Sequence, residues 1–279
     1  ITRDDVNGEK KILIEYLPQR QVEDLVGGRV NPLPIEKSGL SSSLIEQIKF
    51  FASRIEQEFK EMEVIEGLIE DGRVWFLDAK DAIVSPEAIA RIAVEMVNEG
   101  LLTREELFMR IDLRQLKEDL DHFEIETPIS VEPIARGEGV YAGAVSGAIA
   151  LSVDKIKELK AQGIPTIWIK TEAVPEDYTG MGFAEGLVVS LGGRLSHAAL
   201  LGRSLKKPTI VGTPNLRIDE RNKTVTFGNR TFKEGEFLTI DGTTGNIYPG
   251  LLNLRKPLEL NPYFRVLAQW YKEIYGKDI

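Results

Sequence analysis

The feature that most restricts how this chain can fold is a junction. An apolar run over 186–191, GLVVSL, ends in Gly192-Gly193 and passes through Arg194-Leu195-Ser196 into a helical pattern beginning at His197. A continuous apolar run bounded by turn residues reads as a strand buried on both faces, which must be covered by other elements. Two glycines permit a turn that a residue bearing a Cβ would hold only under strain. Ser196 is a preferred N-cap, so His197 is expected at the first helical position, beside main-chain N–H groups that no helical carbonyl satisfies.

That position has chemical consequences. A helix N-terminus carries about half a positive charge, stabilises an anion by roughly 0.3–1 kcal/mol at exposed sites and disfavours a protonated imidazole. A neutral His197 placed there is suited to accept a phosphoryl group, with Arg194 and Arg203 as partners through charge-assisted hydrogen bonds. The plainer reading is a histidine that only closes a turn. His122 and His197 are the only histidines and cysteine is absent, which excludes thiolate nucleophiles and Cys-based or multi-His metal sites.

Thirty-five Lys+Arg against forty-four Asp+Glu, a net charge of -9, argue against a broad nucleic-acid or anionic-membrane surface. No apolar run approaches the roughly 18 residues of a membrane span, and the N-terminus lacks signal-peptide order. A cytoplasmic protein is expected.

At 279 residues the chain has room for roughly two domains. Residues 10–17 read as a strand after the turn signal Val6-Asn7-Gly8, and Ser43 as the cap of a long helix. Leu44, Ile48, Phe51, Ile55, Phe59 and Met62 would share the buried face of that helix. Segments 63–70 and 73–78 form a hairpin around Asp71-Gly72, carrying the acids Glu66 and Asp78. Ser85-Pro86 and Gly100 bound a helix over 86–99, and Thr103-x-x-Glu106 is a capping box. Periodicity is lost over 117–130, marking a linker. Beyond it, a helix at 153–162, strands at 165–170 and 186–191, and a helix at 196–206 precede short strands at 208–212, 223–227, 236–241 and 246–248. The tail ends in an aromatic helix, 263–275, with Phe264, Leu267, Tyr271 and Ile274 on one face.

The residues also carry a resemblance. GGRLSHAALLGRSLKKPTIVG resembles the phosphohistidine signature of phosphoenolpyruvate-utilising enzymes, TEAVPEDYTGMGFAEGLVVS the segment that precedes it, and Ile240-Asp241-Gly242-Thr243-Thr244-Gly245 the motif that closes the swivelling domain. ITRDDVNGEKKILIEYLPQRQVEDLVGGRVNPLPI resembles the nucleotide-binding domain of the pyruvate, phosphate dikinase branch. The resemblance covers about residues 1–250 and implies an α/β chain: an α+β ATP-grasp remnant over 1–84, a helical linker over 85–128 and a compact β/β/α swivelling domain over 129–250, after which 251–279 is read as a tail helix.

It further implies that His197 carries a phosphoryl group between an ATP site and pyruvate or phosphoenolpyruvate, supported by Gly192, Gly193, Arg194, Ser196 and Arg203. Gln21, Glu23 and Lys80 would meet nucleotide, and Glu66 and Asp78 would hold Mg²⁺. Asp78 and Lys80 stand where the family has Gln and Arg in L-Q-T-R, Val22 replaces a Gly and Val30 an Arg, and Leu195 stands where dikinases often carry a regulatory Thr. The same acids also read as solvated side chains on an exposed hairpin, and His122 as structural. The missing first half of the nucleotide domain and the missing pyruvate barrel are expected to come from a longer chain or a partner protein, with no nucleic-acid or membrane partner and with a homodimer left open. The rival class is a non-catalytic, partner-binding module in which His197 is a relic.

Overall fold

The computed structural model describes residues 1–127 and 130–279. The expected linker boundary at 128/129 and the side chain of Val22 lie outside what it describes. By packing, the chain forms two units. One contains Ile1–Pro18, Leu33–Asp121 and Leu258–Ile279, the other Gln19–Pro32 and His122–Pro257. Residues 19–32, part of the expected nucleotide-binding segment, thus pack with the unit that bears His197, and the tail helix packs with the linker helices.

The second unit is built on an eight-stranded mixed sheet. Its strands are β1 (Ala135–Arg136), β2 (Glu138–Tyr141), β3 (Ala144–Ala150), β4 (Thr166–Lys170), β5 (Gly186–Val189), β6 (Thr209–Val211), β7 (Phe237–Asp241) and β8 (Asn246–Pro249), in the spatial order β1-β8-β7-β3-β4-β5-β6-β2. The four central strands, β3, β4, β5 and β6, run parallel, and antiparallel strands close both sides.

The apolar runs expected at the centre are buried on both faces, and alternation sorts them. Ala150, Trp168, Leu187, Val189 and Val211 face the helices Val153–Ala161, Tyr178–Phe183 and His197–Ser204. Ile149, Ile167, Ile169, Val188 and Ile210 face Leu216, Val225 and Phe227 of a second, three-stranded sheet. Small sheet, large sheet and helix layer give the expected β/β/α order, and the chain is α/β throughout. Strands Leu216–Asp219 and Arg230–Lys233 were not visible as patterns, because each exposes its alternate residues and is held by pairing to Thr224–Phe227.

The first unit joins a long helix, Ser42–Phe59, to the hairpin Glu63–Glu70/Arg73–Asp81. Its turn residues take positive φ, Asp71 at 49° and Gly72 at 71°, as the Asp-Gly signal requires. The helix Pro86–Asn98 starts on Ser85 as expected, and both halves of the Thr103/Glu106 capping box form. Against it packs the tail helix Pro262–Tyr275, which buries Phe264, Leu267 and also Trp270. Arg104 stacks over Trp270 at 4.5 Å and pairs with Glu273 at 2.8 Å.

Four expectations are corrected here. Only Glu15–Tyr16 of segment 10–17 is a strand, because Ile1 and Leu13 exchange hydrogen bonds while Asp4 ties up the turn. Ser41, two residues earlier than Ser43, caps the long helix. Its apolar stripe is also partly open: Phe51 and Phe59 are 45% and 56% exposed, Leu44, Ile48 and Ile55 are half-buried, Met62 is buried beyond the helix end, and the buried positions within the helix are Ala52 and Glu56. Glu56 is drawn in by Arg3, a fully buried guanidinium that also pairs with Glu95 and Glu99. Finally, a helix Leu113–Asp119, capped by Asp112, enters the stretch taken as aperiodic.

Candidate functional site

The loop 190–196 leaves the C-terminal end of β5 in the parallel part of the sheet, the edge at which open α/β sheets place their ligands. Ser190 and Leu191 donate their N–H groups to the carbonyls of Lys170, the last residue of β4, and Thr171 just after it, and Thr213, beyond β6, donates to Val189. Neighbouring strand ends therefore hold the start of the loop.

Positive φ falls on Gly192, at 96°. A Cβ there would lie 2.8 Å from Ser196 Oγ and 3.3 Å from the Gly28 Cα, so the glycine is required by conformation and by space. Its N–H donates to Asn31 Oδ1 at 2.9 Å. Gly28, at φ 67°, presses its backbone against Ser196, leaving 3.1 Å between a notional Cβ and the serine's own. Asn31 and Gly28 thus back the loop from a segment 160 residues away. Sequence reasoning missed both, although the Gly27-Gly28 pair and Asn31-Pro32 were visible turn signals.

The helix begins at His197, as expected, and Ser196 occupies its N-cap with extended φ and ψ of -71° and 162°. The side chain does something other than cap. Ser196 Oγ donates to the Gly193 carbonyl at 2.8 Å and accepts no helical N–H. That bond tightens the turn and leaves the first-turn amides uncapped by the Ser196 side chain, which is the arrangement that receives an external anion. His197 itself is half-buried, while Ser196, Ala198 and Ala199 are buried. The helix lies so close to β6 that a Cβ at Gly202 would approach Thr209 Oγ1 to 2.3 Å.

The two arginines are placed differently. Arg203, 4% exposed, donates Nε to the Val140 carbonyl at 3.1 Å and Nη1 to the Arg194 carbonyl at 2.8 Å. Its guanidinium braces strand β2 and the loop from beneath. Arg194 is half-buried within the loop, its carbonyl held by that brace. His122, the other histidine, is half-buried against Gly143, whose φ of 105° leaves room for the ring.

The remaining expected residues divide between the units. Gln21 and Glu23 are exposed at the start of a short helix, Val22–Val26, within the unit that carries His197. Glu66, Asp78 and Lys80 come together on the hairpin of the other unit. Glu66 and Asp78 are cross-strand partners beside a bulge at Glu66/Gly67. Lys80 Nζ lies 2.6 Å from Glu66 and 3.6 Å from Asp78. The Glu66 hydrogen bond, working against burial, holds the Lys80 ammonium above its usual range. Two carboxylates with one lysine fit a Mg²⁺–phosphate group, which needs only one or two protein carboxylates.

Residues 163–245 match the family model "PEP-utilising enzyme, mobile domain". The chain is 33% identical to the pyruvate, phosphate dikinase of Entamoeba histolytica over 276 residues, and 33% identical to that of Rickettsia conorii over 279, covering 98% of this chain and 31% of each relative. It is 34% identical to that of Giardia intestinalis over 264 residues, covering 92% of this chain and 30% of the relative. No helix among the described residues is long and apolar enough to cross a membrane. The chain spans about a third of the length of these relatives, and over residues 163–245 it is similar to the mobile domain of PEP-utilising enzymes.

Proposed function

We propose that this chain is the phosphoryl-carrying part of a pyruvate, phosphate dikinase-like phosphotransferase, with His197 as the carrier. One observation supports this reading above the others: an imidazole on the first residue of a helix whose N-terminal amides Ser196 leaves uncapped, at the carboxyl edge of parallel strands. An imidazole nitrogen of His197 attacks the phosphorus of the donor in line. The donor's P–O bond breaks, and its oxygen leaves with the electron pair. The His197, Ala198 and Ala199 amides and the helix dipole stabilise the charge on the transferred group. Gly192, Gly193 and Arg203 shape the loop, and Arg194, on the loop three residues before His197, would contact the phosphate. The phosphoryl group then passes to pyruvate, or enters from phosphoenolpyruvate, at a site supplied by a longer chain or a partner.

At the nucleotide end, Gln21, Glu23 and Lys80 would meet ATP, and Glu66 and Asp78 would hold Mg²⁺. When bound, that ion neutralises phosphate charge and fixes the orientation of the transferred group. Lys80 would exchange its carboxylate partners for phosphate oxygens.

The test is incubation with phosphoenolpyruvate and a separately expressed dikinase pyruvate barrel, followed by mass spectrometry under neutral and acidic conditions. An acid-labile phosphoryl adduct on His197, absent from His197→Ala, is expected. If a full-length relative gains that adduct and this chain does not, the carrier reading fails. A second reading, a partner-binding module without nucleotide chemistry, is favoured by the closure of Lys80 over both candidate metal ligands. It predicts that His197→Ala leaves the biological role intact.

A further inference from the structure

A second group of acids lies on the same hairpin, away from Glu66 and Asp78. Glu63 and Asp81 are direct cross-strand partners at the end opposite the turn, and Glu61 lies two residues before the strand. One oxygen from each of the three carboxylates falls within 4.8 Å of the other two. Like charges placed directly opposite on a hairpin destabilise it, so the cluster calls for a compensating charge.

Glu61 has part of one, an ion pair with Arg110 at 2.5 Å. Glu63 has none. It is only 2% exposed, and its backbone is fixed by the exchange of hydrogen bonds with Thr2. Among the described residues no lysine, arginine or histidine reaches its carboxylate. Burial, and then the charges of Asp81 and Glu61, push its carboxyl above the usual carboxylate range. The same unit shows how such a problem is otherwise met: Glu56, Glu95 and Glu99 converge on the Arg3 guanidinium. A buried carboxylate aimed at two others, with no protein cation on it, is the converse of that hub, and a bound cation would complete it.

We propose that Glu61, Glu63 and Asp81 form a divalent-cation site that takes Ca²⁺. All three donors are carboxylate oxygens, the ligands of hard cations. Oxygens on opposite sides of Ca²⁺, each about 2.4 Å away, stand about 4.8 Å apart, so the cluster is already within the span the ion bridges. Asp81 is exposed and gives the ion a path to solvent. This site is independent of the phosphoryl-transfer reading and of the Glu66/Asp78 pair.

Calorimetric titration of the chain with Ca²⁺, paired with thermal melts, tests it. The unsubstituted chain and the Glu66→Gln/Asp78→Asn double variant should bind Ca²⁺ and melt higher in its presence. Glu63→Gln should bind at least tenfold more weakly, and Asp81→Asn, at an exposed position that leaves folding undisturbed, should do the same. Equal titrations for the unsubstituted chain and Glu63→Gln would overturn the proposal, as would binding that disappears with Glu66 and Asp78. Absence of Ca²⁺ binding, with Glu63→Gln melting higher than the unsubstituted chain, would also overturn it and identify a proton as the compensating charge.

Discussion

The two units hold their chemistry in different ways. Around His197 the geometry is made of main chain: a left-handed Gly192, a Gly28 backbone against Ser196, and carbonyls gripped by Arg203 and Ser196. Around the hairpin it is made of charge: Arg3 with three glutamates, Lys80 with two acids, and Glu63 with no cation at all. A main-chain site is rigid because close approach leaves it one conformation. A charge-built site can change partners, which is what binding ATP and a metal would ask of Lys80, Glu66 and Asp78. The contrast suits a carrier that must present one fixed imidazole and a nucleotide end that must accept and release ligands.

Substitutions can break this comparison. The largest effect on stability is expected at the Arg3 hub, where Glu56→Ala removes the best-buried partner of a fully buried guanidinium and should cost about 3–5 kcal/mol in denaturant unfolding. A loss under about 1 kcal/mol would show that Glu95 and Glu99 suffice, and that the charges in this unit are interchangeable.

Next is Gly192→Ala, which places a Cβ at a φ of 96° and 2.8 Å from Ser196 Oγ, and should cost about 1–3 kcal/mol. Gly72→Ala, equally left-handed but with nothing within 4 Å, supplies the control and should lose only the conformational part, about 1 kcal/mol. Equal losses at the two sites would mean that the close packing behind the His197 loop adds nothing. The smallest effect is expected from Lys80→Met. Its Nζ is half-exposed, so stability should move by less than about 1 kcal/mol and the difference should shrink with added salt. Histidine phosphorylation from ATP, measured in a full-length relative whose matching arginine is replaced by methionine, should fall while phosphorylation from phosphoenolpyruvate stays unchanged. A parallel fall in both would place Lys80 outside the nucleotide end.

Reading the chain alone went furthest where the physics is local. The Asp71-Gly72 turn, the Ser85-Pro86 start, the Thr103/Glu106 box and the strand-to-helix passage into His197 depend on backbone preferences within a few residues, and all four form. The buried centre of the large sheet was legible for a related reason, since runs such as TIWIK and GLVV can persist only between two covered faces, whereas the β/β/α order came from the resemblance. The face of the long helix was misjudged because periodicity shows which residues line up and leaves open what covers them. Phe51 and Phe59 remain exposed, while Glu56 is buried by an arginine 53 positions earlier.

The amino-acid sequence by itself determined that a histidine would stand at the head of a helix after a glycine turn, because that outcome rests on short-range sterics and capping. Only the tertiary structure decided that Ser196 turns back to Gly193, that Arg203 spends its guanidinium on two carbonyls, that Asn31 holds the Gly192 amide, and that Lys80 closes over two acids. Each of these is a choice of hydrogen-bond or ion-pair partner. Side chains choose among partners by distance in space, and chain order does not carry that information until the strands and helices have packed.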